Sequence, residues 1–225
     1  MVSEPSVIVV GAGGHAVVVA DALLASGRVV LGFVDRDSVK AGEVLFGLPV
    51  LGDETALDVR RAGNIELANG IGGSGRAASV LEGTLRRRVQ SRLAAQGWDF
   101  ASVRHPSAIV ATSASLGPGT QILAGAVIQP CAQVHEGAIV NTRSVVEHHA
   151  RVGAFAHIAP AAVLCGEVWV GDESHVGAGA VVRQGIRLAS RVVVGAGSVV
   201  VRDVHSGLVA GVPARAVLHN ARSAL

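Results

Sequence analysis

Three histidines and a glutamate interrupt a run of small and aliphatic residues in SVVEHHARVGAFAH, residues 144–157. An imidazole exchanges a proton near neutral pH, so His148, His149 and His157 are candidate general bases, and a carboxylate such as Glu147 can orient one. Histidines also ligate zinc, and His148, His157 and His175 would make a set of three with an open position. Taken singly, His135, His175, His205 and His219 read as surface residues.

A second stretch with chemistry in it is GAGGHA at 11–16, which follows an apolar run and precedes a helical pattern. It has the form G-x-G-x-x-A, and Asp35 follows about twenty residues later, the outline of a dinucleotide fingerprint. The glycines let backbone approach a phosphate, and a helix N-terminus favours the anion. A tight turn alone would also account for Gly13 and Gly14.

What these residues can do depends on the elements that hold them. SVIVVGAGG reads as a buried strand entering a glycine turn, and HAVVVADALLASG as a helix closed by Gly27. RVVLGFVDRD and NIELANGIGG read as two more strands, and residues 75–96 as another helix in which Arg86, Arg87 and Arg88 form a solvated face. This alternation predicts an α/β N-terminal domain with a short, Rossmann-like parallel sheet. It is too short for the two mononucleotide halves that a dinucleotide spans, so a nucleotide-sugar diphosphate suits the glycine turn better than NAD.

From Ala108 the chain divides into sixteen hexads without an insertion, from AIVATS to SVVVRD. The third place is always Val, Ile or Leu, and the first is Ala, Ser or Thr in thirteen hexads, the exceptions being Val168, Ile186 and Val192. A period of six held this long marks a repeat architecture. It resembles the hexapeptide-repeat, left-handed parallel β-helix, in which six residues supply a short strand and its corner and eighteen a three-sided turn. Successive coils of such a fold stack at about 4.8 Å. Residues 1–104 are therefore expected to form the α/β domain, and residues 105–225 the coil and a C-terminal cap that begins in SGLVAGVPARAVL. Stacking by eighteen puts His148 between Pro130 and Gly166, His149 between Cys131 and Glu167, and His157 against His175, all on the outside of the coil.

The stretch NTRSVVEHHARVGAFAHIAPAAVLCGEVWVG is similar to the active-site region of the sialic acid O-acetyltransferase and UDP-4-amino-sugar N-acetyltransferase family, at Asn141, Thr142, Glu147, His148 and His157. The opening GAGGHAVVVAD and the GVPAR at 211–215 resemble that family's first and last motifs. The resemblance implies an acetyl-CoA-dependent N-acetyltransferase acting on a nucleotide-linked amino sugar, UDP being the expected carrier. The alternative is an O-acetyltransferase acting on a sialic acid or similar sugar hydroxyl.

By the same resemblance His148 is the general base, with Glu147 and His149 beside it, and His157, Gly166, Ala178 and Ala196 meet acetyl-CoA. Gly13, Gly14 and His15 then surround the acceptor's phosphates and sugar, Asp35 and Arg36 lie at the base, and Gly72 completes the pocket. A homotrimer with the donor between subunits is expected, and no metal. Two positions depart from the family: an acid commonly follows the catalytic histidine, where this chain has His149, and a second acid often stands where it has Arg36. The enzyme is then expected either to borrow a carboxylate from Glu147 or the stacked Glu167, or to rely more heavily on substrate binding.

Composition narrows the remaining classes. A net charge of +2, with no basic run longer than Arg86–Arg88, argues against a nucleic-acid surface. No apolar run approaches the ~18 residues of a membrane span, and no basic segment precedes the first apolar run as in a signal peptide. Two cysteines, Cys131 and Cys165, make no disulfide framework, so a soluble cytoplasmic protein is expected. A scaffold role in which the coil only assembles subunits is the non-enzymatic alternative.

Overall fold

The computed structural model describes residues 4–37, 40–60, 63–73 and 80–216, without the side chains of residues 80–84. His219, the first residues of the expected second helix and the last of the expected cap lie outside the described residues. The N-terminal part is built from β1 (Ser6–Val10), α1 (Gly14–Ala25), β2 (Val30–Val34), a hairpin of β3 (Val44–Leu45) and β4 (Leu48–Pro49), α2 (Thr55–Asp58), β5 (Ile65–Asn69) and α3 (Val80–Ala95). Strand β1 pairs in parallel with β2 and β5, in the order β2-β1-β5. A central parallel strand is covered on both faces, and β1 is accordingly a continuous apolar run. Ala16, Val19 and Leu23 of α1 pack on Val7, Val9 and Phe33, while Ile8, Val10 and Leu67 lie with Leu93 of α3 and Trp98. The same α1 cluster takes in Leu123 and Ile139 of the coil, so α1 is sandwiched between sheet and coil.

The coil is the left-handed parallel β-helix expected from the period. Each two-residue strand falls on the second and third places of a hexad and pairs with the strand eighteen residues away, as Val127–Ile128 does with Val145–Val146 and Val163–Leu164 with Val181–Val182. Amides bind carbonyls of the next coil at near 2.9 Å, as in Val145 N–H to Ala162 C=O. Branched third-place residues such as Ile128, Val146, Ile158 and Leu164 fill the axis, and first-place alanines such as Ala138, Ala150 and Ala156 turn into the corners, all buried.

Three sheets result. The first face runs from Ile109–Val110 to Val199–Val200, the second from Ser115–Leu116 to Arg187–Leu188, and the third from Val103–Arg104 through His157–Ile158 to Val193–Val194 and the cap strands Leu208–Ala210 and Arg215–Ala216. Because Val103–Arg104 pairs with Gln121–Ile122, the coil's third face already begins at residue 103.

The sixth place of fourteen hexads, from Gly119 to Gly197, has a left-handed backbone, including His149 at φ 60° and Glu167 at φ 61°. The corner imposes this conformation on residues of every type. Among the described residues no helix is long and apolar enough to cross a membrane.

The arginine run is not a solvated face. Arg86 is 1% exposed, binds the carbonyl of Gly137 and lies near the Phe155 ring. Burial pulls its guanidinium down to about 10, still a cation at neutral pH. Arg87 pairs with Glu173 at 3.0 Å. Helix α3 leans on the coil here, so consecutive arginines cannot all face water.

Candidate active site

Two of the expected residue sets meet where the α/β domain covers the third face. A cleft of about 510 Å³ is lined by Gly14, His15, Gly72 and Gly73 from the domain and by Asn141, His157, His175, Ala178 and Ala196 from the coil. His157 was expected on the outside of the coil; it is 7% exposed, because the third face is the one the domain covers. His175 is half-buried in the same cleft, with its ring 4.9 Å from that of His157, rather than free on the surface. His135 and His205 are exposed.

The cleft continues over the N-terminus of α1. A second hollow of about 370 Å³ is lined by Gly11 to His15, Asp35, Lys40 and Gly70 to Gly73. Beyond it a larger cavity, about 800 Å³, takes in Asp35, Arg36, Glu54, Ile71, Arg88 and Arg92. Gly11 has φ 101° and needs glycine, but Gly13 is extended with φ −107°. A Cβ on Gly13 or Gly14 would meet nothing within 4 Å. A tight turn therefore explains Gly11 and leaves the other two unexplained by the fold, whereas close approach of a ligand to bare backbone explains both.

Asp35 accepts hydrogen bonds from the Ala12 amide at 2.7 Å, the Asp37 amide at 2.9 Å and Lys40 at 3.1 Å. Burial opposes its ionisation, but the Asp37 and Ala12 amides and the Lys40 ammonium outweigh this and hold the carboxyl below the usual range. Asp35 thus ties the end of β2 to the glycine turn. Arg36 is exposed.

His15 Nε2 lies 2.8 Å from Gln121 Oε1, and burial lowers its pKa to about 4 against the bond to Gln121, with Arg86 adding to the drop. Burial, then the charges of His175, Arg86 and His15, hold His157 well below the ordinary imidazole value. Both rings are neutral at pH 7. The folded chain keeps His15 neutral down to about pH 4, whereas the unfolded chain binds that proton near 6.5, so the unfolded state binds more protons between those values. Stability therefore falls as pH drops through that window. Thermal melts should show a lower midpoint at pH 5 than at pH 7, and a smaller drop in His15→Gln.

His148 and His149 are elsewhere. They follow Val145–Val146 and precede Arg151–Val152, at the exposed corner between the first and second faces, opposite the third. The His148 ring stacks on Gly166, where a Cβ would come within 2.6 Å of its Cε1 and Nε2. Its Nδ1 lies 3.2 Å from Nδ1 of His149. Glu147 accepts the His148 backbone amide at 3.4 Å, and among the described residues neither Glu147 nor Glu167 makes a hydrogen bond or ion pair with the His148 ring. Within one chain His148 therefore does not meet His157, Ala178 or Ala196, nor do His148, His157 and His175 converge as a metal set. Among the described residues no group of three histidine, cysteine or acidic side chains is placed to hold a metal.

Gln121 and the cleft role of His175 went unread in the sequence. Both occupy the second place of third-face hexads, a column that also holds His157 and is apolar at Ile139 and Val193, and the contrast with those two was the available signal.

Residues 6–81 match the PglD N-terminal domain family. The chain is 37% identical to PerB from Caulobacter crescentus, solved in complex with CoA and GDP-perosamine, over 95% of this chain and 97% of that one, with a TM-score of 0.85. It is 34% identical to the acetyltransferase domain of PglB from Neisseria gonorrhoeae, solved with acetyl coenzyme A, over 96% of this chain and 100% of that one, with a TM-score of 0.84. WeeI from Acinetobacter baumannii, 22% identical over 93% of this chain and 98% of its own, shares the fold at a TM-score of 0.74. Coil, cleft and these similarities define an acyltransferase. The chain belongs to the hexapeptide-repeat family of sialic acid O-acetyltransferases and UDP-4-amino-sugar N-acetyltransferases.

Proposed function

We propose that this enzyme transfers an acetyl group from acetyl-CoA to the amino group of a nucleotide-linked amino sugar, with His148 as general base. The observation that carries the reading is the shared cleft, in which the phosphate-type turn at the N-terminus of α1 opens onto His157, Ala178 and Ala196 of the coil. The similarity to PerB, with its CoA and GDP-perosamine, supports it. Residues 1–104 then hold the nucleotide sugar and residues 105–225 the thioester. The diphosphate lies on the bare amides at Gly13 and Gly14, with the base in the larger cavity beside Asp35 and Arg36 and the sugar pointing past Gly72. Arg36 is exposed at this cavity and supplies donors that suit the carbonyl oxygens of uracil and of guanine alike.

The base belongs to a second copy of the chain. On the first face the outward residues Val127, Val145, Val163, Val181 and Val199 are half-buried and Ile109 is exposed, an apolar sheet that no other element covers among the described residues. We take this face to be the trimer interface. His148 at its edge then points into a neighbour's cleft, and the donor lies between the two chains.

The amine attacks the thioester carbonyl, the C–N bond forms, and His148 Nε2 takes the amine proton. The C–S bond then breaks and the CoA thiolate leaves. The Gly166 amide faces the developing oxyanion. To accept at Nε2, His148 must keep its own proton on Nδ1 and donate it to His149 Nδ1. His149 thus orients the ring as a family acid would, but without adding negative charge. A His149→Asp variant should retain activity and show the acid limb of its kcat/KM profile at higher pH than wild type, because a carboxylate favours the imidazolium.

Thiol release from acetyl-CoA with UDP-, GDP- and dTDP-linked amino sugars tests the function. Transfer that yields an alkali-stable amide supports the reading. An alkali-labile ester points to the O-acetyl alternative, and no transfer to any amino sugar overturns it.

A further inference from the structure

We propose that Gln121 is a positioning residue that fixes the proton of His15, so that the His15 Nδ1 lone pair accepts a hydrogen bond from a hydroxyl or amino group of the acceptor sugar. This rests on the cleft being the sugar site, as argued above. The orientation of every amide in the chain of contacts is forced. Gln121 is 1% exposed and its Nε2 donates to the Asn69 carbonyl at 2.6 Å, so Oε1 is the atom that faces His15. A carbonyl oxygen only accepts, so the His15 proton is on Nε2, at 2.8 Å, and Nδ1 carries a lone pair. Asn69 cannot yield, since its Nδ2 donates to the Arg86 carbonyl and Gln90 Oε1 and its Oδ1 takes the Ile71 amide.

The opposite wall is fixed in the opposite sense. Asn141 Oδ1 takes the Thr142 amide at 2.7 Å, so its Nδ2 donates to His157 Nε2 at 3.0 Å. The proton of a neutral His157 is then on Nδ1, which is buried with no partner. A Cβ on Gly73 would lie 3.0 Å from this atom, so the glycine keeps the space over it open. With the two rings 6.4 Å apart, the cleft presents one fixed acceptor and one fixed donor.

A sugar hydroxyl or amine can satisfy both. A phosphate oxygen, an acceptor only, is repelled by the His15 lone pair. His15, which family resemblance sets around phosphates and sugar together, is by this reasoning a sugar contact, and the diphosphate is left to the amides at the start of α1. The charged and titratable groups facing His15 are Arg86 and His157, and neither favours a second proton on it.

Nitrogen-15 NMR of the full-length protein with labelled histidine reads the tautomers directly, with His15→Asn and His157→Asn spectra assigning the signals. We expect His15 protonated at Nε2 and His157 at Nδ1; a His15 proton on Nδ1 overturns the proposal. Kinetics give a second readout. In Gln121→Glu the carboxylate holds an extra proton on His15 and turns Nδ1 into a donor. KM for the amino sugar should rise about tenfold at pH 7, the worth of one hydrogen bond, and recover at higher pH. KM for acetyl-CoA should stay within about threefold, and Gln121→Met should raise the sugar KM with no pH dependence. A Gln121→Glu variant whose sugar KM is as flat with pH as wild type also overturns the proposal. Wild type inactive toward every amino sugar would instead refute the function proposed above and leave the tautomer assignment standing.

Discussion

Replacing His148 with asparagine should lower kcat by about 10²–10⁴-fold and leave KM for both substrates nearly unchanged. Asparagine fills similar space and can still hydrogen-bond, but it has no basic nitrogen to take the amine proton. The loss falls on kcat because proton transfer belongs to the transition state and not to ground-state binding. The fold should be indifferent, since the His148 ring is exposed, and its one ring hydrogen bond among the described residues is to His149. Steady-state thiol release and a thermal melt on the same preparation check both parts. Full activity in this variant would remove His148 from the chemistry, and with it the need for a second chain at the site. A loss of activity accompanied by a change in oligomeric state would show instead that the corner serves assembly.

The coil was legible because its axis tolerates so little. Only a branched aliphatic fills the third place, a small residue turns the corner at the first in thirteen of the sixteen hexads, and a single insertion would break the stack. The sixth place followed no residue type: Cys131, Arg143, His149, Phe155 and Glu173 all take the left-handed conformation there. The backbone of the corner, and not side-chain preference, decides it, although the glycines at 119, 125, 137, 179, 185 and 197 carried a partial signal.

Burial was harder to read. A period of six says which residues point outward, but not which outward face a second domain will cover. That is why His157 and His175 read as exterior, and why Gln121 passed unnoticed. Arg86 failed for a related reason: three arginines in a row look solvated until a helix is pressed between a sheet and a coil. The two-residue strands Val44–Leu45 and Leu48–Pro49 were too short to show any period. The stacking of His148 on Gly166 could be placed from the count of eighteen alone. The failure of Glu147 to reach the His148 ring could not, since it depends on which way one side chain turns at a corner.

That stacking yields the second large effect. Gly166→Ala should lower kcat by about 100-fold while the thermal midpoint stays within a few degrees of wild type. The added methyl would sit 2.6 Å from both Cε1 and Nε2 of His148, closer than carbon and nitrogen can approach. The neighbour that yields is the ring, since the coil backbone is held by hydrogen bonds on both sides, including Glu167 N–H to His148 C=O and Gly185 N–H to Gly166 C=O. Displacing a base by about 1 Å from its line of attack is enough to cost about 10² in rate. The stability cost is small because the ring swings from an exposed corner toward water and no core contact is lost. Gly27→Ala gives the contrasting case. At φ 83° a side chain there is strained, and its Cβ meets nothing, so the melt should move while kcat does not. If Gly166→Ala turned over at the wild-type rate, the ring would have to act from a different position, and its place over Gly166 would not be the catalytic one.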